Sequence, residues 1–405
     1  MDSKRIVVVG TMASDPYAGM AWMHMQIAMG LKRLGHDVYY FETTNVWPYN
    51  PVIQSRVDNP DYAVSYLKRV TESFGLGDKW AYRCSFSKHK EWFGMPGKNA
   101  EELLAHADLV LNISGSTVFK PEGLKTGRLI FWGTDPVFPE IKYSQGDPGM
   151  RSVVDEHQDV ITYGENIGNP DCPIPPLPRL KARTRQPVLL DLWKCGEPSG
   201  KEFTTVGNWK QSGRDVEFRG EKYCWSKHHE FLKYIDLPKK TGQSLEVAMN
   251  LGSLEEIKPD LFSVVPSLGL ARDEYTLLVS NGWKLVDGPS FTNDPWPYRD
   301  YIIHSRGEFS FAKDQNIRLR SGWFSERSAC YLAAGRPVIT QDTGFGCTLP
   351  VGNGLFACNN LEDMISAFDQ INGNYQKHSK AAREIAEEYF RAETVLQKVL
   401  NDLNV

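Results

Sequence analysis

The residues best suited to chemistry gather between Tyr301 and Pro350. Arg306, Glu308 and Lys313 come first, and Arg318, Arg320 and Arg327 surround a loop made of Ser321, Gly322, Trp323, Phe324 and Ser325. A helix-like segment, Glu326 to Ala334, follows with Ser325 in the N-cap place, and Gly335 stops it. The first N–H groups of a helix lack intrahelical partners and sit at the positive end of its dipole, so this start suits an anion. Lys313 would hold a phosphate as a point charge and Arg306 as a fork, while Glu308 would accept hydrogen bonds from ligand hydroxyls. Arg336-Pro337 opens an apolar strand, Val338 to Thr340, and Asp342-Thr343-Gly344-Phe345-Gly346 follows at its carboxyl end, where glycine lets a ligand approach the backbone. A diphosphate would fit such a unit. The competing account is an ordinary αβ unit with solvated arginines and glycines that only turn the chain.

These residues need a frame. Arg5 to Val9 is a β-type run ending at Gly10, a polar loop carries Asp15, a helical pattern starts near Met20, and Val38 to Glu42 is a second strand. A βαβ opening implies a parallel sheet. Gly10 is followed by Thr11-Met12-Ala13-Ser14, so the dinucleotide fingerprint is absent and a nicotinamide enzyme is a poor fit. Trp47 to Gly97, rich in aromatic and turn residues, reads as an insertion with one helix, Asp61 to Phe74. Its Trp47, Tyr49, Tyr62, Trp80, Tyr82, Trp92 and Phe93 suit core packing for the most part, with an acceptor ring as the other use. Strands ending at Ser114 to Thr117 and at Thr134-Asp135 place polar residues at carboxyl ends, where open parallel sheets collect ligands.

Ile161 to Asn166 reads as the last strand of a first domain, and Pro170 to Pro187 as a semi-rigid connector. Strand patterns then restart at Val188 to Trp193 and Phe203 to Trp209, and α/β alternation continues. The chain ends in a helical stretch, His378 to Leu403, either one helix or two kinked near Arg391 to Thr394.

A length of 405 residues suggests two domains of roughly 150 to 200 residues each. A net charge of −4 gives no broad basic field, so a nucleic-acid partner has no support from charge, though it is not excluded. No apolar run approaches the ~20 residues of a membrane span, and the start lacks a cleavage-type site. Cys84, Cys172, Cys195, Cys224, Cys330, Cys347 and Cys358 are scattered without CxxC spacing, which argues against disulfides and zinc and for a cytoplasmic protein. His228-His229 has no ligand-type spacing around it, so no metal is expected.

Three stretches resemble the GT-B glycosyltransferases, whose fold is two Rossmann-like α/β domains facing across a cleft. They are the opening IVVVG with GLKRLGHDVYYFE, the segment YLAAGRPVITQDTGFGCTLPVGNGLFACNNLEDMISAF, and the terminal AAREIAEEYFRAETVLQKVL. The middle one is similar to the carboxy-terminal domain of family 1 and family 4 members. The resemblance implies residues 1–180 as an acceptor domain, 181–380 as a nucleotide-sugar domain, and 381–405 as a helix returning to the first. It implies transfer of a sugar from a nucleotide-diphosphate donor, as co-substrate, to a small or polymeric acceptor, without metal or other cofactor. The donor set so implied is Arg306, Glu308, Lys313, Ser325, Glu326, Arg327, Ser328, Asp342, Thr343, Gly344 and Phe345.

One departure stands out. Many retaining members carry two glutamates eight residues apart, and the matching places here hold Gly322 and Cys330, with Glu326 nearby but out of phase. A non-catalytic nucleotide- or phosphosugar-binding member is therefore the alternative. If transfer inverts the anomeric centre, a base must serve the acceptor hydroxyl, and Asp15, then His24, then Asp135 are the candidates.

Overall fold

The computed structural model describes residues 2–87, 90–194, 196–251 and 270–405; Cys195 lies outside these. Ile6 to Val9 are apolar at every position and fully buried, as a strand covered on both faces must be. This strand, β1 (Arg5–Val9), pairs in parallel with β2 (Asp37–Glu42) across the helix Ala18–Arg33. A short ribbon, β3 (Tyr49–Asn50) with β4 (Ser55–Arg56), leads to the helix Asp61–Ser73 and then to β5 (Trp80–Arg83) and the antiparallel edge strand β6 (Trp92–Gly94). β7 (Leu109–Ile113), β8 (Arg128–Gly133), β9 (Asp159–Thr162) and β10 (Leu180–Arg183) complete a sheet ordered β10-β9-β8-β7-β1-β2-β5-β6.

Two expectations change here. Trp47 to Gly97 is not an insertion, because β5 is an integral parallel strand beside β2; its aromatic composition hides the βα rhythm. The proline-dense connector also contains a strand. β10 buries Ala182 alone of its four residues, a one-sided pattern that an edge position between prolines accommodates.

The second half contributes β11 (Phe203–Val206), a hairpin of β12 (Val216–Phe218) and β13 (Glu221–Tyr223), then β14 (Leu245–Met249), β15 (Lys284–Asp287), β16 (Gly307–Ser310), β17 (Val338–Gln341) and β18 (Leu355–Cys358). Its parallel sheet runs β15-β14-β11-β16-β17-β18, which is the 3-2-1-4-5-6 order of a doubly wound fold. Val188 to Trp193 forms no sheet strand. Leu190–Trp193 is a 3₁₀ turn, which packs Trp193 on Trp22 with ring centroids 4.6 Å apart.

Two helices end the chain, Tyr375–Tyr389 and Ala392–Asp402. The break falls where Val188 N–H donates to the Phe390 carbonyl at 2.7 Å and Ala392 N–H donates to the Val188 carbonyl at 3.0 Å. The last helix lies against Ala18–Arg33 so closely that a Cβ on Gly30 would sit 2.4 Å from Leu396 Cδ1. One apolar core consequently joins both lobes, taking in Trp22, Trp193, Tyr298 and Phe324.

Candidate functional site

A cavity of about 430 Å³ opens between the carboxyl ends of the two sheets. The first lobe supplies Tyr17, Met20, Met23, Tyr49, Thr134 and Tyr163 to its wall. The second supplies Gly207 and Asn208 after β11, Phe311 and Lys313 after β16, and Ser325, Glu326 and Arg327 at a helix start. β11 and β16 are the strands at which the order of their sheet reverses, and such switch points are where open α/β sheets hold ligands.

The helix is Glu326–Ala333, and Ser325 holds its N-cap place with extended backbone but makes no side-chain cap. Arg327 is fixed from three sides. Its Nε donates to Glu308 Oε1 at 2.6 Å, Nη2 donates to Ser310 Oγ at 2.6 Å, and Nη1 donates to the Val206 carbonyl. Burial, the largest influence, would lower the Arg327 pKa, but the Glu308 carboxylate together with Tyr298 and Tyr331 turns the net shift upward. Glu308 is wholly buried beneath, with its second oxygen unbonded, so it serves as the counter-charge of Arg327 and not as part of the lining.

Lys313 donates to both oxygens of Asp135, at 2.9 and 2.7 Å, across the gap between lobes, and its Nζ lies 3.0 Å from the Trp225 ring centroid. Lys227 completes the group, with Nζ 5.5 Å from the Trp323 ring centroid. Burial pushes Lys313 down to about 8, and burial together with Arg327 and Lys313 pushes Lys227 down to about 7. Both lysines thus carry less than full charge at neutral pH, and an anion placed between them would restore it.

A pH dependence follows. An anion favours the protonated lysines, so affinity should be greatest below about pH 7 and fall as pH rises through the values of Lys227 and then Lys313. Each lysine contributes at most about a tenfold loss per pH unit. Titration calorimetry with nucleoside-diphosphate sugars, whose diphosphate diester keeps its charge, would check this between pH 6 and 9; a flat profile would refute it.

Glu326 is the one carboxylate among the described residues lining the cavity. It accepts from Gln26 Nε2 at 3.2 Å and from Cys330 Sγ at 3.1 Å, and burial raises it to about 7. The Cys330 contact puts Glu326 one turn earlier on the same helix face.

The other expected site residues lie elsewhere. Asp15 is paired with Arg56 of β4 at 2.8 Å. His24 is walled in, with Nδ1 on the Met20 carbonyl at 2.7 Å and the Tyr40 ring edge-on at 5.6 Å, and burial lowers it to about 4. Asp135 is committed to Lys313. None of the three lines the cavity. Ser328 is buried behind the helix start.

The glycine loop after β17 also turns away from the cavity. Gly344, at φ 95°, presses on the first lobe so that a Cβ would meet Asn166 Nδ2 at 3.0 Å, and its N–H donates to Asp342 Oδ1 at 2.9 Å. The Thr343 carbonyl accepts from Gly322 N–H at 2.7 Å, and Phe345 packs edge-on to Phe324 at 5.1 Å. In this structure the loop forms a seam between the lobes. Arg306 needs a correction too: it precedes β16, at the opposite end of the strand from the cavity, where it lies 4.5 Å from the Tyr375 ring and bonds Asn372.

Lys227 and Trp225 escaped the sequence reading. A lone lysine ahead of two histidines carries no signal for proximity to residues far along the chain, and only the fold brings it beside Arg327 and Lys313.

No protein-family model and no curated protein matches this chain. Solved structures do resemble it. An α-glucosyltransferase seen with UDP and a mismatched 13-mer DNA aligns over 100% of both chains with a TM-score of 0.60 and 10% identity. HepE of Anabaena, seen with UDP and glucose, aligns over 99% of both at a TM-score of 0.55 and 12% identity. Sucrose-phosphate synthase of Thermosynechococcus elongatus aligns over 98% of both at 0.50 and 11%. These likenesses concern the fold, which is the two-domain GT-B arrangement.

Proposed function

We propose that this chain, built on the GT-B fold, moves a sugar from a nucleoside-diphosphate donor to an acceptor hydroxyl. The observation that carries the reading is the convergence of Arg327, Lys313 and Lys227 with a helix start on one cavity between the lobes. Glycosyl transfer builds negative charge on the departing diphosphate, and preplaced cations and N–H groups in a water-poor cleft stabilise that charge most where it grows. Asp135 would have to yield Lys313, or share it, when the diphosphate arrives. Glu326 is suited to donor hydroxyls, and with burial holding it near 7 it can accept or donate a hydrogen bond. Asp15 stays our candidate base for an inverting transfer; it is paired to Arg56 outside the lining, two residues before Tyr17, which lines the cavity. The six free cysteines of the described residues fit a reducing compartment, so we place the reaction in the cytoplasm. Among the described residues no helix is long and apolar enough to cross a membrane.

The purified protein should be warmed with UDP-, GDP- and dTDP-glucose in turn. One of them is expected to raise the melting temperature and to be hydrolysed slowly, while nicotinamide cofactors do neither. Because side chains meet the diphosphate, both effects should survive EDTA. Stabilisation without turnover against any acceptor would favour the non-catalytic reading, and no stabilisation by any donor would defeat both.

A further inference from the structure

The cavity divides its chemistry sharply between the lobes. Its charged lining residues among those described, Lys227, Lys313, Glu326 and Arg327, all come from the second lobe. The first lobe contributes aromatic, apolar and neutral polar side chains only. Tyr17 and Tyr49 stand there as a stacked pair, centroids 5.7 Å apart and 26° between planes, held because the Tyr49 N–H donates to the Ser14 carbonyl at 2.9 Å. Met20 and Met23, one helical turn apart on Ala18–Arg33, supply polarizable side chains beside them. The β3–β4 ribbon that carries Tyr49 also lines the cavity with Pro51 and Gln54, and at its tip Val52 and Ile53 are 77% and 59% exposed. Trp47, just ahead of the ribbon, is 49% exposed. An apolar surface therefore runs from the cavity wall out to solvent along one ribbon, the kind of exposed patch that marks a ligand groove.

We infer that the first-lobe wall takes an uncharged, aromatic small-molecule acceptor bearing a hydroxyl, its ring laid against Tyr17 and Tyr49 and its far end emerging past Val52 and Ile53. This rests on the transfer reading and narrows it. A nucleic-acid strand needs cations along its phosphates, and the wall has none among the described residues. In the transfer, the acceptor oxygen bonds to the anomeric carbon, and the carbon–oxygen bond to the diphosphate breaks with its electron pair leaving on that oxygen. The hydroxyl proton leaves to water.

Umbelliferone binding to the full chain, followed by its own fluorescence with and without UDP, tests the site directly. Transfer from the donor that stabilises the protein is then compared among umbelliferone, maltotriose and a single-stranded DNA bearing hydroxymethyluracil. Umbelliferone is expected to bind and to be glycosylated at least about tenfold faster than the others, and Tyr49→Ala and Val52→Asp to raise its KM by about tenfold with UDP affinity unchanged. Val52 is exposed at a ribbon tip, so that variant keeps its fold. Preference for maltotriose or DNA, or equal umbelliferone binding by both variants, overturns the inference while the transfer reading stands. Failure of every donor to bind or turn over removes the transfer reading itself, and the acceptor assignment falls with it.

Discussion

Arg327→Ala is expected to destabilise the second lobe by about 3–5 kcal/mol, because it strands the carboxylate of Glu308, which is fully buried. Glu308 already has one oxygen without a hydrogen bond, so no neighbour stands ready to replace the guanidinium. Ser310 Oγ and the Val206 carbonyl lose their donor at the same time, and the side-chain bridge between the carboxyl ends of β11 and β16 goes with them, while the strands stay paired. Urea unfolding would measure the loss. The double change Arg327→Met with Glu308→Gln separates structure from binding: it should recover most of the stability, since a neutral pair carries no stranded charge, yet bind UDP far more weakly. Stability near wild type in the single variant would show that Glu308 is not dependent on Arg327, and normal UDP binding by the double variant would remove Arg327 from the donor site.

Lys313→Ala should weaken whichever nucleotide sugar stabilises the protein by about 2 kcal/mol or more, roughly a 30-fold rise in Kd. Two effects add. The diphosphate loses a cation, and Asp135, released from its 2.7 Å partner, adds a like charge to the gap between the lobes. Asp135→Asn tests the second effect separately: with Lys313 no longer held, that variant should bind the same nucleotide sugar as well as wild type or better. Combined with Lys313→Ala, it should restore part of the lost affinity. Calorimetry on the four proteins would show it, and additive losses in the double variant would mean that the pair does not compete with the ligand.

Much of the fold was legible because its signals are local. The run Ile6 to Val9, the helix ended by Gly335 and the strand after Pro337 each depend on neighbours within a few positions. The resemblance to a two-domain fold drew on the same segments. Where local signals were mixed, the reading failed. β5 is built of aromatic residues that mimic a loop-rich insertion, and β10 hides between prolines as a one-sided edge.

The site divides in the same way. Lys313, Ser325, Glu326 and Arg327, which line the cavity, stand out in the sequence because an unpartnered helix start and nearby cations have a chemical meaning that needs no fold. The sequence alone thus determined the anion-suited helix, the alternation of strands and helices, and the lack of a dinucleotide fingerprint. Only the tertiary structure decided which charges meet. It set Lys227 beside Arg327, turned Gly344 onto Asn166, and left Arg306 at the far end of its strand. The physical reason is that contacts between residues far apart in the chain depend on the sheet order and on helix Ala392–Asp402 packing back across the core, which local patterns do not encode.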